Sequence, residues 1–154
     1  MTGSAESSRP PGLPRGSSTP PPRPVVGVDI VSVLRMADVV ARLGERFASR
    51  VFTRTEIESA PPLSGAQARH FAARFAAKEA VFKLLQPTTA APPWKDVEIG
   101  RTAGGSCVVT LHGRAEELAR QRGVGDITLS MTHEDAYAVA VAVGMSQDLN
   151  RSDQ

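Results

Sequence analysis

The chain has 154 residues, 41% of them hydrophobic and 22% charged, a balance that suits one globular domain with a single core. A formal net charge of +2 does not by itself indicate nucleic acid, and the one cysteine, Cys107, excludes an internal disulfide framework and any multi-cysteine metal site. With no apolar run near the roughly 20 residues needed to span a bilayer, the composition predicts a cytoplasmic protein without a membrane partner.

Residues 1–24 contain Pro10, Pro11, Pro14, Pro20, Pro21, Pro22 and Pro24 and almost no large apolar side chain. Such a stretch cannot offset the entropy of ordering, so a disordered Pro/Ser-rich arm is predicted. No apolar segment follows its arginines, which argues against a secretory signal. The working domain is then 25–145, with a polar tail over 146–154.

Val25 to Val31 is short and β-branched and predicts a buried strand. Met36, Val39, Val40, Leu43 and Phe47 keep a helical period, and a second short helix follows, capped by Thr53 with Glu56 completing a capping box. After the Pro61-Pro62 break a long helix is predicted from Ser64 to Leu85, with Ser64 and Gln67 in capping-box spacing, then a Pro/Thr loop from Gln86 to Pro93. Val97–Ile99 and Cys107–Leu111 read as strands around a Gly104-Gly105 turn, with a short helix from Arg114 to Gln121 behind them. Ile127–Thr132 and Ala136–Val143 form a hairpin about His133-Glu134-Asp135. The class is α+β, with no internal repeat.

The long helix carries the chemistry. Ala68, Phe71, Phe75, Phe82 and Leu85 line one side, while Ala72, Ala73, Ala76, Ala77, Ala80 and Leu84 cover most of the rest. A helix apolar on most sides belongs in an interior, yet this one holds Arg74, Lys78, Glu79 and Lys83. At about 100° per residue, Lys78 falls inside the phenylalanine stripe and Glu79 and Lys83 share the seam between the Phe and Ala faces. A buried charge needs a partner, a metal or a ligand. The plain alternative is a Glu79–Lys83 surface pair, worth about 0.2–0.5 kcal/mol.

Asp29 stands in an apolar strand and Glu79 on an apolar helix, and two carboxylates brought together would repel unless a cation lay between them. Oxygen ligands without a cysteine or histidine cluster favour a hard ion such as Mg²⁺, which keeps room for waters and substrate phosphates. Arg74, Lys78 and Lys83, read as bordering the same carboxylate, hint at phosphate. Equally, Asp29 can simply cap the following helix. His133, at the hairpin tip, is either a pocket residue or a surface one. No P-loop, dinucleotide fingerprint or Ser–His–Asp spacing supports nucleotide-fold or covalent chemistry. Arg35, Arg42, Arg46 and Arg50 form a basic stripe that either steers an acidic partner or is a solvated helix face.

Together these pieces resemble the holo-acyl-carrier-protein synthase family, the small 4′-phosphopantetheinyl transferases. The matches are Gly27-Val28-Asp29-Ile30-Val31 with Arg35, Arg50-Val51-Phe52-Thr53 with Glu56, Arg74-Phe75-Ala76-Ala77-Lys78-Glu79-Ala80 with Lys83, Trp94 to Ile99, and Ser130-Met131-Thr132-His133-Glu134. They stand in the family's order and cover nearly the whole domain.

The resemblance implies a small antiparallel sheet packed on a long buried helix, assembled as a homotrimer with active sites between subunits. It implies transfer of 4′-phosphopantetheine from coenzyme A to a serine of an acidic apo acyl carrier protein of fatty acid or polyketide synthesis, leaving adenosine 3′,5′-bisphosphate. Asp29 and Glu79 match the Mg²⁺ ligands, and Lys83 would neutralise the phosphate in flight. Arg74, Lys78, Lys83, Thr132 and His133 would contact coenzyme A, and Arg35, at the head of the stripe with Arg42, Arg46 and Arg50, would meet the carrier. The general base stays open between a metal-bound water and Glu79. Gln86 to Pro93 stands where the family has a glycine-bearing loop, Gly105-Ser106-Cys107 replaces its Gly-x-Pro, and Thr132 replaces a serine. Rival readings are a catalytically weak carrier-binding module and a nucleic-acid-binding domain, the latter short of stacking platforms with one Tyr and one Trp.

Overall fold

The computed structural model describes residues 21–62, 65–88 and 90–147. Most of the predicted arm, the Ser64 cap and all but the first two residues of the predicted tail lie outside them.

Strand β1 (Arg23–Ser32) alternates as its sequence demands: Val25, Gly27, Asp29 and Val31 turn inward, Val26, Val28 and Ile30 outward. It begins inside the stretch read as an arm. The helical period from Met36 to Phe47, expected as one helix, is divided into α1 (Val33–Leu43) and α2 (Glu45–Val51). The break is Gly44, whose φ of 48° and ψ of −128° suit a residue without a Cβ. Ser32, not Asp29, caps α1, its Oγ accepting from the Arg35 amide at 3.3 Å. Asp29 is thereby free for other work.

Helix α3 (Arg54–Glu58) has the predicted capping box: Thr53 Oγ1 accepts from Glu56 N, and Glu56 Oε2 accepts from Thr53 N at 2.7 Å. The long helix α4 (Gly65–Leu85) is followed by a 3₁₀ turn at Trp94–Asp96. Then come β2 (Val97–Arg101), β3 (Cys107–Leu111), α5 (Gly113–Gln121), β4 (Thr128–His133) and β5 (Tyr137–Ser146). Ser146, read as the start of the tail, closes β5, and its hydroxyl donates to the Arg122 carbonyl at 2.6 Å.

Both sheets are antiparallel, one of three strands in the order β1-β5-β4 and one pairing β2 with β3. Helix α4 lies on the inner face of the larger sheet, and small residues allow it to come close. Ala76, Ala77 and Ala80 from the helix share one core with Ala140 and Ala142 of β5. Gly27 is the tightest point: a Cβ there would lie 1.8 Å from the Ala80 carbonyl oxygen and 2.7 Å from the Leu84 nitrogen. Any side chain at 27 would therefore push the helix off the strand.

A second core gathers aromatic rings between α4 and the short helices, with Phe52 stacked on Phe71 at 4.6 Å between centroids and Phe75 on Trp94 at 4.7 Å. The C-terminal end of α4 is closed by a cation, since Arg122 Nη1 donates to the carbonyls of Leu85 and Gln86.

On the outer face of the three-stranded sheet, β1 and β5 carry an open apolar patch beside the outward Thr128, Ser130 and Thr132 of β4. Val26, Val28 and Ile30 are 57%, 53% and 61% exposed, and they pair with Val143, Val141 and Val139 of β5. Tyr137 and Met145 extend the patch. No helix among the described residues is long and apolar enough to cross a membrane.

Candidate active site

Strand β1 turns Asp29 toward α4, and one turn of that helix separates Glu79 from Lys83. Lys83 Nζ donates to Asp29 Oδ1 at 2.8 Å and to the Val28 carbonyl at 2.9 Å. The lysine's ion partner is therefore Asp29, not Glu79. That hydrogen bond raises the Lys83 pKa above its ordinary value. Glu79 is half-buried, and its carboxyl pKa is raised, first by burial and then by the negative charge of Asp29, with Lys83 acting against both. The negative charges of the two carboxylates thus oppose one another.

They line a cavity of about 620 Å³ together with Ser32, Arg35, Phe75 and Tyr137. Among the described residues no group of three or more His, Cys, Asp or Glu side chains converges. The donor set is two carboxylate groups. It suits a hard cation that takes its remaining ligands from water and substrate oxygens better than it suits zinc.

Arg74 and His133 are together, but elsewhere. Five residues before Glu79, Arg74 lies about 140° round the helix at about 100° per residue, and it lines a separate cavity of about 660 Å³ with His133, Arg69, His70 and Arg101. The expectation that Arg74, Lys78 and Lys83 border one carboxylate is corrected accordingly: only Lys83 does. No carboxylate lines this second cavity among the described residues. Arg74 is 6% exposed and its Nε has no hydrogen-bond partner among the described residues. Burial lowers its pKa, with Glu56 opposing.

Lys78 is not at a phosphate site. It is fully buried, Nζ lies 2.8 Å from Glu56 Oε2, and it also donates to the Trp94 and Val97 carbonyls. Glu56, 1% exposed, accepts in turn from the amides of Thr53 and Ile99. The pair ties α3, α4 and β2 together, and burial lowers the Lys78 pKa against the pull of Glu56. The coenzyme A contact expected of Lys78 has no free donor to make it. Thr132 is also separate from His133: adjacent strand residues face opposite ways, and Thr132 pairs with Val139 on the outer face of the sheet.

The arginine stripe is distributed by the break at Gly44. Arg35 and Arg42 are on α1, Arg46 and Arg50 on α2, and all four are exposed. Arg35 alone also lines the carboxylate cavity. Leu34 and Leu43, 73% and 50% exposed, add apolar surface to α1.

Sequence reading passed over three residues of the basic cavity, Arg69, His70 and Arg101. His70 stands four before Arg74, a spacing that puts both on one helix face and could have flagged it.

Residues 25–142 match the family model of the 4′-phosphopantetheinyl transferase superfamily. The holo-[acyl-carrier-protein] synthase of Moorella thermoacetica is 44% identical over 122 residues, covering 76% of this chain and 90% of the relative. A Chronobacterium ammoniagenes synthase–CoA complex superposes with a TM-score of 0.68 at 28% identity, covering 80% of this chain and 98% of that one. The Mycobacterium tuberculosis acyl carrier protein synthase does so with a TM-score of 0.62 at 33% identity, covering 79% and 96%. The chain belongs to the 4′-phosphopantetheinyl transferase superfamily, among its holo-acyl-carrier-protein synthases.

Proposed function

We propose that the enzyme moves 4′-phosphopantetheine from coenzyme A to a serine of an acidic apo acyl carrier protein, with Mg²⁺ bound by Asp29 and Glu79. The observation that carries this reading is the pair of carboxylates lining one cavity, with Lys83 bonded to Asp29. The serine oxygen forms the new bond to the pantetheine-bearing phosphorus, the anhydride P–O bond breaks, and the hydroxyl proton passes to solvent. Adenosine 3′,5′-bisphosphate leaves with the bridging oxygen. Mg²⁺, when bound, would withdraw charge from the diphosphate and favour attack by the hydroxyl. Lys83, 53% exposed, can turn from Asp29 to the phosphate oxygens. Arg74 and His133 would hold a further phosphate of coenzyme A in the basic cavity.

The carrier is expected on α1 and α2, where Arg35, Arg42, Arg46 and Arg50 offer charge and Leu34 and Leu43 offer apolar contact. Such a surface suits an acidic amphipathic helix. The decisive assay incubates the protein with coenzyme A, Mg²⁺ and apo carriers of fatty acid and polyketide type, then weighs the carriers by mass spectrometry. A phosphopantetheine mass gain is expected on at least one. None on any would leave the carrier-binding module as the better reading.

We further propose a trimer with shared active sites. Two observations support it: the apolar outer sheet face, and the separation of the carboxylates from Arg74 and His133 on different sides of α4. A neighbour's basic cavity would complete each carboxylate site. Val28→Glu, placing charge in the middle of the patch, is expected to yield monomers in sedimentation velocity and to abolish the mass gain. A trimeric, active Val28→Glu would refute the arrangement.

A further inference from the structure

His70 lies in the basic cavity with a hydrogen bond at each end of its ring. Its Nδ1 is 3.1 Å from Arg74 Nη1, and its Nε2 is 3.3 Å from the Glu56 carbonyl oxygen. A guanidinium can only donate, so Nδ1 must be the bare nitrogen and Nε2 must carry the proton. That tautomer satisfies both bonds at once. A doubly protonated ring would lose the bond to Arg74 and place two cations together.

The surroundings enforce the neutral form. His70 is lowered from 6.5 to about 4, first by burial, then by Arg74, with Arg101 and His133 adding to the effect and the bond to Glu56 opposing it. Glu56 itself is held by Lys78 and by two backbone amides, so the carbonyl that anchors His70 belongs to a residue of α3 tied to α4 and β2. The chain Glu56 carbonyl, His70, Arg74 thus runs from the buried ion pair to the cavity wall.

Arg74 needs such an anchor because, among the described residues, nothing acidic lines the cavity beside it. It is almost wholly buried, its Nε is unpartnered, and Arg69, Arg101 and His133 around the cavity are all basic or ionisable to cations. A buried guanidinium in a carboxylate-free pocket is costly alone and favourable with an anion.

We infer that His70 is a positioning residue, which holds the Arg74 guanidinium so that its remaining donors meet a phosphate group in this cavity. The inference rests on the transferase reading for the identity of that phosphate as part of coenzyme A.

The test compares His70→Phe, which keeps a flat ring against Phe71 but removes both nitrogens, with His70→Gln, which keeps an acceptor and a donor. Binding of adenosine 3′,5′-bisphosphate is measured by calorimetry, and KM is measured separately for coenzyme A and for the carrier. His70→Phe is expected to weaken bisphosphate binding about tenfold and to raise KM for coenzyme A to match, with carrier KM unmoved; loss of one charge-assisted hydrogen bond is of this size. His70→Gln should recover most of the loss. If His70→Phe melts early, His70→Met serves as the second variant without ring nitrogens. Wild-type affinity in a folded Phe or Met variant overturns the inference, as does a fall in kcat at unchanged KM. Wild-type protein that binds no bisphosphate would overturn the transferase reading along with it.

Discussion

Glu79→Gln is expected to cut turnover by about 10²–10³-fold, the usual cost of removing one group that stabilises charge in a transition state, while leaving the fold as stable as wild type or more so. The two halves of that expectation have one cause. Glu79 is held half-buried beside Asp29, and both conditions raise its pKa. A carboxyl whose folded pKa lies above its unfolded one binds its proton more tightly in the folded state. Stability is therefore undiminished below the ordinary carboxylate range, and it falls as pH rises from there through the folded pKa of Glu79. Above that folded pKa the wild type carries the penalty in full. Glutamine removes it and keeps the shape, so urea melts of the variant should lose this part of the decline with pH. Calorimetric Mg²⁺ binding should weaken in parallel with turnover. A Glu79→Gln enzyme with near-normal rate would remove Glu79 from the metal site.

Lys78→Met should have the opposite signature, a large loss of stability. Removing the ammonium takes the ion-pair partner from the Glu56 carboxylate, 1% exposed, and leaves it the Thr53 and Ile99 amides as hydrogen-bond donors among the described residues, with the Arg74 charge acting from further off. Breaking a buried pair from one side typically costs about 3–5 kcal/mol, because the uncompensated charge remains. The urea midpoint should fall accordingly. Adding Glu56→Gln to Lys78→Met discharges the stranded group while keeping an acceptor for the amides, and should recover part of the loss. If instead Lys78 served coenzyme A, Lys78→Met would keep its stability and raise KM, and the burial account would be wrong.

These two residues are neighbours in the chain, and they mark the boundary of what the sequence could reveal. Periodicity was enough to place α4, because a helix apolar nearly all round has few other homes, and it was enough to place Lys78 inside the phenylalanine stripe. The need for a partner was legible too. The partner was not, since Glu56 already had a local explanation in the capping box and nothing local announces that one carboxylate will also receive Lys78 and the Ile99 amide. The break at Gly44 was hidden for a similar reason: apolar spacing continued through it, and only the backbone angle of that glycine divides the helix. Asp29 and Glu79 were found as candidates by their apolar settings. Their meeting depends on the close seating of α4 on β1 at Gly27, a contact between distant segments. The division of the basic residues between two cavities follows from helix geometry alone, because the five-residue step from Arg74 to Glu79 turns most of the way to the far side of a helix.

That step has a bearing on damage. Along α4 it spans about 7.5 Å at 1.5 Å per residue, so one rigid stretch of backbone supports the guanidinium of one cavity and the carboxylate of the other. In a closed ring those cavities would belong to two different active sites. A lesion that loosens α4 in one subunit would then impair two reaction centres, each in a different half, and a ring carrying a single defective chain would keep only one whole centre.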